Sequence, residues 1–291
     1  MMAFARAARS WAALVLPALV AGCSAAEPDV PEDPLADVVY VPWDGSPDGG
    51  FFLELTEVTN DAFAKFLKAS TYRDDDSGFL LHWKRPQVGG PVPPPGFESH
   101  PVVHVSLVDA EAYARWKKMR IPTSTEWEVA AGYGVDGGYP FGLFQPLRAN
   151  TLELGLQHTT PVGLFENGRS ILGMYDLAGN VSELAIGPNG PIPKGGSFKQ
   201  FLRRVDTNEI EAPVAPTFSA MDVGFRCAAD AIGLLMERVV AGSMSNDTKI
   251  RSFVGFLKRS GAPGRRLLED LAAKHSSARP LVNAAIQQIG H

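Results

Sequence analysis

Apolar residues recur at helical spacing in three short stretches of the first half of the chain. Each stretch opens on a side chain that caps helices well: Thr59, Ser106 and Thr123. Two of these starts carry an acidic residue three positions later, Asp109 and Glu126, as in a capping box. The pattern predicts three helices beginning at these caps. Their apolar positions are Phe63, Phe66 and Leu67, then Ala110, Tyr113 and Trp116, then Trp127 and Ala130.

Elsewhere the pattern changes to short strand-like runs separated by many glycine and proline turns, without an internal repeat. This mixture predicts an α+β domain with much irregular structure over residues 38–230. Residues 231–291 return to helical spacing, and Pro263 and Pro280 lie where helix starts tolerate proline. We expect a small helical C-terminal extension, which either packs on the domain or meets a partner.

Composition agrees with a soluble globular protein of one to two domains. The chain has 291 residues, of which 45% are hydrophobic and 20% charged. It has no apolar run of about twenty residues, the length that a bilayer span needs. The net charge is −5, and the basic side chains form no massed patch. Nucleic acid is therefore excluded as a partner.

The first residues have the order of an export signal. Arg6 and Arg9 precede an apolar run at residues 11–20, which ends in small residues before Cys23. This order resembles a bacterial lipobox, so we expect residues 1–23 to be a lipoprotein signal peptide with Cys23 as the acylated residue. The alternative is a soluble secretory signal with an incidental cysteine. The first interpretation predicts export and lipid anchoring to the membrane, on the periplasmic or outer-membrane side.

Residues 24–37 alternate prolines with acidic side chains, a composition typical of an extended tether. The chain has two cysteines, Cys23 and Cys227. If Cys23 is acylated, Cys227 has no partner in the chain, and we expect no disulfide.

Seven segments in fixed order carry a family resemblance. They are residues 57–60 (EVTN), 100–106 (HPVVHVS), 109–116 (DAEAYARW), 120–128 (RIPTSTEWE), 173–181 (GMYDLAGNV), 195–197 (GGS) and 224–230 (GFRCAAD). Together they resemble the sulfatase-modifying-factor, or formylglycine-generating enzyme, domain over about residues 38–230. The resemblance implies a C-type-lectin-like fold, which periodicity alone does not give.

The resemblance also implies a chemistry that this chain lacks. Enzymes of the family oxidise a cysteine of a sulfatase to formylglycine with two cysteines that follow the Gly-Gly-Ser segment and hold copper, a metal suited to soft thiolates. Here the two positions are Gln200 and Val205, so copper is not expected. The neighbouring Ser197 is interpreted as a turn residue. Position 114, where family members often carry the cysteine that pairs with the one in GFRC, is alanine, so Cys227 should be a free, buried thiol.

A calcium site is implied by the same resemblance. Its ligands would be the side chains of Asp176 and Glu183 and the carbonyls of Gly179 and Val181, an all-oxygen shell that suits a hard cation. The alternative is a pair of carboxylates on a solvated turn. A second calcium site of the family is not expected, because residues 151–161 contain no Asp.

Other candidate residues are interpreted as structural. His100 and His104 would project from one face of a strand, but no nearby carboxylate completes a metal triad. Trp116 and Trp127 are expected in the core, and Trp83 is the better candidate for a surface residue.

These observations favour a membrane-tethered, non-catalytic domain that binds a protein or peptide partner of the cell envelope or serves there structurally. One alternative is a formylglycine-generating oxidase that acts on sulfatases through an unrecognised site. Another is calcium-dependent carbohydrate binding, which rests on fold analogy.

Overall fold

The computed structural model describes residues 33–73, 78–88, 90–132, 138–143, 145, 147–201 and 212–289. The predicted signal peptide with Cys23, most of the predicted tether, and Val205 lie outside these residues. None of the described helices is both long and apolar enough to cross a bilayer.

The strands of the described residues form two small sheets. Strands β1 (Val38–Pro42) and β2 (Gly50–Glu54) pair antiparallel, and β6 (Ala228–Asp230) joins the other side of β2. In the second sheet, β3 (Ser182–Gly187) pairs antiparallel with β4 (Gly190–Lys194) and parallel with β5 (Val223–Gly224). Because β5 and β6 lie on either side of residues 225–227, this short segment connects the two sheets.

The three predicted helices are present: α1 (Asn60–Ala69), α2 (Leu107–Trp116) and α3 (Ser124–Ala131). Thr59 caps α1 by accepting from the backbone N–H of Ala62. Both predicted capping boxes are formed, at Ser106 with Asp109 and at Thr123 with Glu126. Side-chain oxygens therefore satisfy the first N–H groups that an isolated helix leaves unpaired.

The C-terminal extension is helical and packs on the domain. It consists of α4 (Ala231–Leu235), a π-helical turn (Met236–Val240), α5 (Asn246–Lys274) and α6 (Arg279–Ile289). Gly261, with φ 58° and ψ −140°, breaks α5 into two limbs, and Pro263 lies at the start of the second. Phe256 of α5 packs on Tyr40 and Phe52 of the first sheet, with ring centroids 5.7 Å apart in both pairs.

The folded body begins earlier than we predicted. Leu35, in the last part of the predicted tether, is 1% exposed and belongs to the main hydrophobic core. Asp33 forms an ion pair with Arg259, and Asp37 contacts both Lys117 and Arg238. The predicted tether is therefore wrong for residues 33–37, because Leu35 finds apolar neighbours that the local composition does not reveal.

Two of the three tryptophan predictions are wrong. Trp83 is buried, and its Nε1 donates to Asn60 Oδ1 at 3.2 Å, so it is not a surface residue. Trp116 is 42% exposed at the end of α2, where it lies over Phe66. Trp127 is buried in the core, as predicted.

Together the helices and two sheets form the mixed α+β fold that the sequence predicts.

Candidate functional site

A cluster of four buried charged residues lies where the two sheets meet, and we call it the charge centre: Arg226, Glu183, Glu57 and Asp176. Arg226 is 0% exposed and Glu183, on β3, is 1% exposed. Two parallel hydrogen bonds join them, from Nη2 to Oε1 at 2.6 Å and from Nε to Oε2 at 2.7 Å. Such a fork is the strong form of a charged hydrogen bond.

The remaining donors of the Arg226 guanidinium go to backbone. It donates to the carbonyls of Glu54 at 3.0 Å and Tyr175 at 2.8 Å. Trp127 Nε1 donates to Glu183 Oε2 at 2.8 Å. The guanidinium of Arg226 thus links β2, through the carbonyl of Glu54, to β3, through Glu183. Trp127 connects α3 to the same Glu183 side chain.

The other two carboxylates carry more charge than the guanidinium can balance. Glu57 accepts from Asn180 Nδ2 at 3.2 Å through Oε2, whereas its buried Oε1 has no hydrogen-bond partner among the described residues. Burial, then the charges of Asp176 and Glu183, raise the pKa of Glu57 well above its ordinary value. Burial raises the pKa of Asp176 to about 6, although the N–H of Gly163 donates to its Oδ2 at 2.7 Å.

The loop at residues 176–180 has a specialised backbone. Asp176 and Asn180 adopt φ values of 57° and 56°, which are uncommon for residues with a side chain. Gly179 has φ 80°, and a Cβ there would lie 2.5 Å from the carbonyl oxygen of Asn150. Asn180 Oδ1 accepts from the N–H of Thr160 at 2.9 Å and from Asn150 Nδ2 at 3.1 Å, which holds the turn.

The structure therefore brings Asp176 and Glu183 into one centre, but not on a solvated turn, since they are 5% and 1% exposed. That alternative is wrong. Val181 is also buried, at 1% exposure. Sequence reasoning missed Glu57 and Arg226 as members of this centre. Both lie in segments of the family resemblance, which was the available signal. In the described part of the chain, no three His, Cys, Asp or Glu side chains converge as metal ligands.

Gln200, the first position of the enzymes' cysteine pair, closes a turn that begins at Ser197, since its N–H donates to the Ser197 carbonyl at 3.0 Å; Val205 lies outside the described residues. Ser197 is buried, donates from Oγ to Asp222 Oδ2 at 2.8 Å, and accepts from the N–H of Lys199 at 3.3 Å. This pattern is that of a turn residue. The carbonyl of Gln200 accepts from the N–H of Leu152 at 2.9 Å.

Cys227 is a free thiol with 0% exposure. Burial, then the charge of Glu54, raises its pKa well above the ordinary value. A thiol held in the protonated form is a poor nucleophile and a poor metal ligand. The structure thus supports the predicted packing role of Cys227.

A second cluster surrounds an open cavity of about 200 Å³, which we call the histidine cavity. Among its lining residues are His82, His104, His158, Phe198 and Met221. Phe198 follows Ser197, so the cavity lies beside the turn at residues 197–200. The rings of His82 and His104 have centroids 5.4 Å apart.

His100 and His104 do not share one face of a strand. His104 has φ 57°, which turns the chain. His100 Nδ1 instead lies 2.9 Å from Thr159 Oγ1, and its ring packs on Phe97. The pKa of His82 is lowered to about 4, first by desolvation and then by the charge of protonated His104. Desolvation also lowers the pKa of His104, so both rings are neutral at pH 7.

A larger cavity of about 480 Å³ lies between β1 and α5 and shares no lining residue with the histidine cavity. Its wall is mainly apolar, with Arg169 and Arg259 among the lining residues. Arg259 is already paired with Asp33, and Arg169 with Glu166.

Comparison with known proteins gives one family. The family model of the sulfatase-modifying factor enzyme 1-like domain matches residues 46–231. The formylglycine-generating enzyme of Thermomonospora curvata is 31% identical over 257 residues, which cover 62% of this chain and 82% of that protein. The inactive C-alpha-formylglycine-generating enzyme 2 of Mus musculus is 29% identical over 235 residues, covering 62% of this chain and 75% of that one.

A further relative is much longer than the shared region. The serine/threonine-protein kinase Pkn1 of Chlamydia trachomatis is 38% identical over 140 residues, which cover 46% of this chain. The match spans only 22% of that kinase.

Proposed function

Because this chain belongs to the sulfatase-modifying-factor family, we propose that it is a non-catalytic member, which binds a protein or peptide partner of the cell envelope or serves there structurally. The proposal rests on the missing cysteine pair and on the burial of Cys227. Gln200 and Val205 replace the enzymes' cysteine pair, and Cys227 is fully buried with a raised pKa. The chain therefore lacks the pair of cysteines that holds copper in the enzymes. A relative named as inactive supports the idea that the domain is retained without the activity.

The test is a peptide oxidation assay. The purified chain is incubated with copper, oxygen, a reductant and a synthetic sulfatase peptide that contains Cys-x-Pro-x-Arg. The mass of the peptide is then measured by mass spectrometry. We expect an unchanged cysteine, whereas the Thermomonospora curvata enzyme converts it to the aldehyde in parallel. Aldehyde formed by this chain would overturn the proposal and support the oxidase alternative. A Cys227→Ser variant then shows whether the buried thiol is responsible.

We also propose that the chain is exported and anchored by a lipid on Cys23, as the order of regions in residues 1–23 suggests. In bacterial cells given a radioactive fatty acid, the protein should become labelled and sediment with the membrane fraction. The Cys23→Ser variant should lose both properties. Label that persists in Cys23→Ser would refute the anchor, whereas export without label would favour the soluble secretory signal.

We also propose that the charge centre binds a calcium ion. It holds three carboxylates against one guanidinium, and Oε1 of Glu57 is buried without a partner among the described residues. Asp176 and Glu183 would supply carboxylate oxygens, and Gly179 and Val181 carbonyls. The positive charge would balance the excess negative charge of the centre and stabilise the 176–183 loop.

Thermal unfolding in EDTA and in excess calcium tests this site. A ligand at one hundred times its Kd stabilises the folded state by about 2.7 kcal/mol, so calcium should raise Tm by several degrees. Asp176→Asn should abolish the shift. Asp222→Asn, which changes a carboxylate outside the centre, should retain it. Equal Tm values for the parent chain in calcium and EDTA would exclude the site.

A further inference from the structure

Four of the six histidines of the chain gather at one place. His82, His104 and His158 line the histidine cavity, and His100 contacts its lining residue Thr159. The proposed partner-binding role does not require these imidazoles. Their grouping therefore calls for a separate explanation.

The two closest rings have the spacing of a shared metal. With a metal–nitrogen distance of about 2.0 Å, two imidazoles on one ion at trigonal or tetrahedral angles have centroids roughly 5 to 5.5 Å apart. The centroids of His82 and His104 are 5.4 Å apart. Among the described residues, neither ring makes a hydrogen bond, so their ring nitrogens are available.

Backbone and neighbouring contacts position the chain at these two histidines. The N–H of His104 donates to Ala220, and its carbonyl accepts from Leu80 at 2.8 Å. Trp83, next to His82, is buried and donates to Asn60. The backbone positions from which the two rings extend are therefore defined by neighbouring contacts.

The conformation of His104 is strained. Its φ of 57° lies in the left-handed region, where glycine is the favoured residue and an imidazole is uncommon. Leu80, its hydrogen-bonded neighbour, also has a positive φ, of 46°. Strained residues cluster at ligand sites, because a site can require a side chain where the backbone would prefer none.

A third ligand type is present in the same cavity. Met221 lines it with a thioether and is 45% exposed. Thioethers select Cu(I), and imidazole binds copper well. The nearby charges of Lys199 and Asp222 largely cancel, because the two residues form an ion pair at 3.5 Å. The positive charge of Lys199 is therefore partly offset by Asp222 beside the cavity.

We propose that the histidine cavity binds one Cu(I) ion through His82, His104 and Met221. This ligand set differs from a cysteine pair, and the proposal does not depend on the partner-binding role.

The experiment is a competition titration under argon. The full chain carrying Cys23→Ser, which removes the accessible thiol, competes with a coloured Cu(I) chelator in detergent. We expect one Cu(I) per chain. His82→Ala and His104→Gly should each lower the affinity at least tenfold, glycine being chosen because it accepts the positive φ. Met221→Leu should lower it about tenfold, and His275→Ala, an imidazole outside the cavity, should leave it unchanged.

X-ray absorption of the copper-loaded chain identifies the ligands. A sulfur scatterer should be present in the parent and absent in Met221→Leu, while thermal unfolding confirms that every variant is folded. No stoichiometric binding, or binding that folded His82→Ala and His104→Gly retain, would overturn the proposal. Zn(II) bound more tightly than Cu(I), with no effect of Met221→Leu, would overturn the choice of metal.

Discussion

The charge centre and the histidine cavity both gather titratable side chains from distant parts of the chain, but they treat them differently. In the charge centre, Arg226 and Glu183 are buried and satisfy each other. In the histidine cavity, the backbone of His104 is fixed while its ring faces open space. A fully buried ion pair such as this one is required by the fold, because removing one partner leaves the other as an unbalanced buried charge. Side chains with available nitrogens on a fixed backbone are suited to a ligand.

The largest effect should come from breaking the buried pair. Arg226→Met leaves Glu183, Glu57 and Asp176 without a positive charge, and we expect the free energy of unfolding to fall by about 3–5 kcal/mol. Urea denaturation at pH 7 in EDTA measures this. The same substitution at Arg265, in an exposed i,i+4 pair with Glu269, should change it by less than about 0.5 kcal/mol. Similar losses for both variants would erase the distinction between buried and exposed pairs.

A smaller loss should follow when one neutral donor is removed from the same centre. Trp127→Phe keeps most of the ring but removes the N–H that donates to Glu183, at a cost of about 1–3 kcal/mol. Trp116→Phe is the matched control, because Trp116 is 42% exposed, and it should cost less than about 0.5 kcal/mol. If the two substitutions cost the same, the indole hydrogen bond contributes little.

The two regions should respond to pH with opposite signs. The folded-state pKa of Glu57 is raised, so the folded protein binds more protons and loses stability as pH rises above about 4.5. The folded-state pKa of His82 is lowered from 6.5 to about 4, so its contribution is present above pH 6.5 and is lost as pH falls toward 4.

Urea denaturation between pH 4 and 8 in EDTA separates these contributions. Relative to the parent, Glu57→Gln should weaken the decline in stability with rising pH, and His82→Ala should weaken the decline with falling pH. Parallel curves for the parent and both variants would show that neither group titrates differently in the folded state.

The smallest effect concerns the backbone of the cavity. His104→Gly relieves a left-handed conformation that His104→Ala retains, so the glycine variant should be the more stable of the two by about 1 kcal/mol. Thermal unfolding without metal provides the measurement. An alanine variant as stable as the glycine variant would remove the argument from strain.

Local features of the fold could be predicted from the sequence. The caps at Thr59, Ser106 and Thr123 involve residues within three positions, so their chemistry is visible in the chain itself. The burial of individual side chains could be predicted less well from the sequence. Helical spacing groups Trp116 with the core face, but it does not show that the end of α2 reaches solvent. Nothing local to Trp83 indicates that Asn60 and α1 cover it.

The candidate sites divide in the same way. Asp176 and Glu183 are close in sequence, and the family resemblance was enough to place them together. Glu57 lies 119 positions before Asp176, and Arg226 lies 43 positions after Glu183. They join the centre through contacts between distant segments that the sequence does not specify. The pairing of His82 with His104 depends on two positive φ angles that residue types do not predict.

The packing of the C-terminal extension has a mechanical consequence. Force applied to the chain before Asp33 enters the body at residues 33–37 and then reaches β1, an edge strand that, among the described residues, pairs with β2. The first limb of α5 contacts this region: Arg259 forms an ion pair with Asp33, and Phe256 packs on Tyr40. A load that peels β1 from its sheet must therefore also break these contacts with α5. The first limb of α5 thus holds residues 33–42 against the body, and removing α5 should lower the force at which β1 detaches.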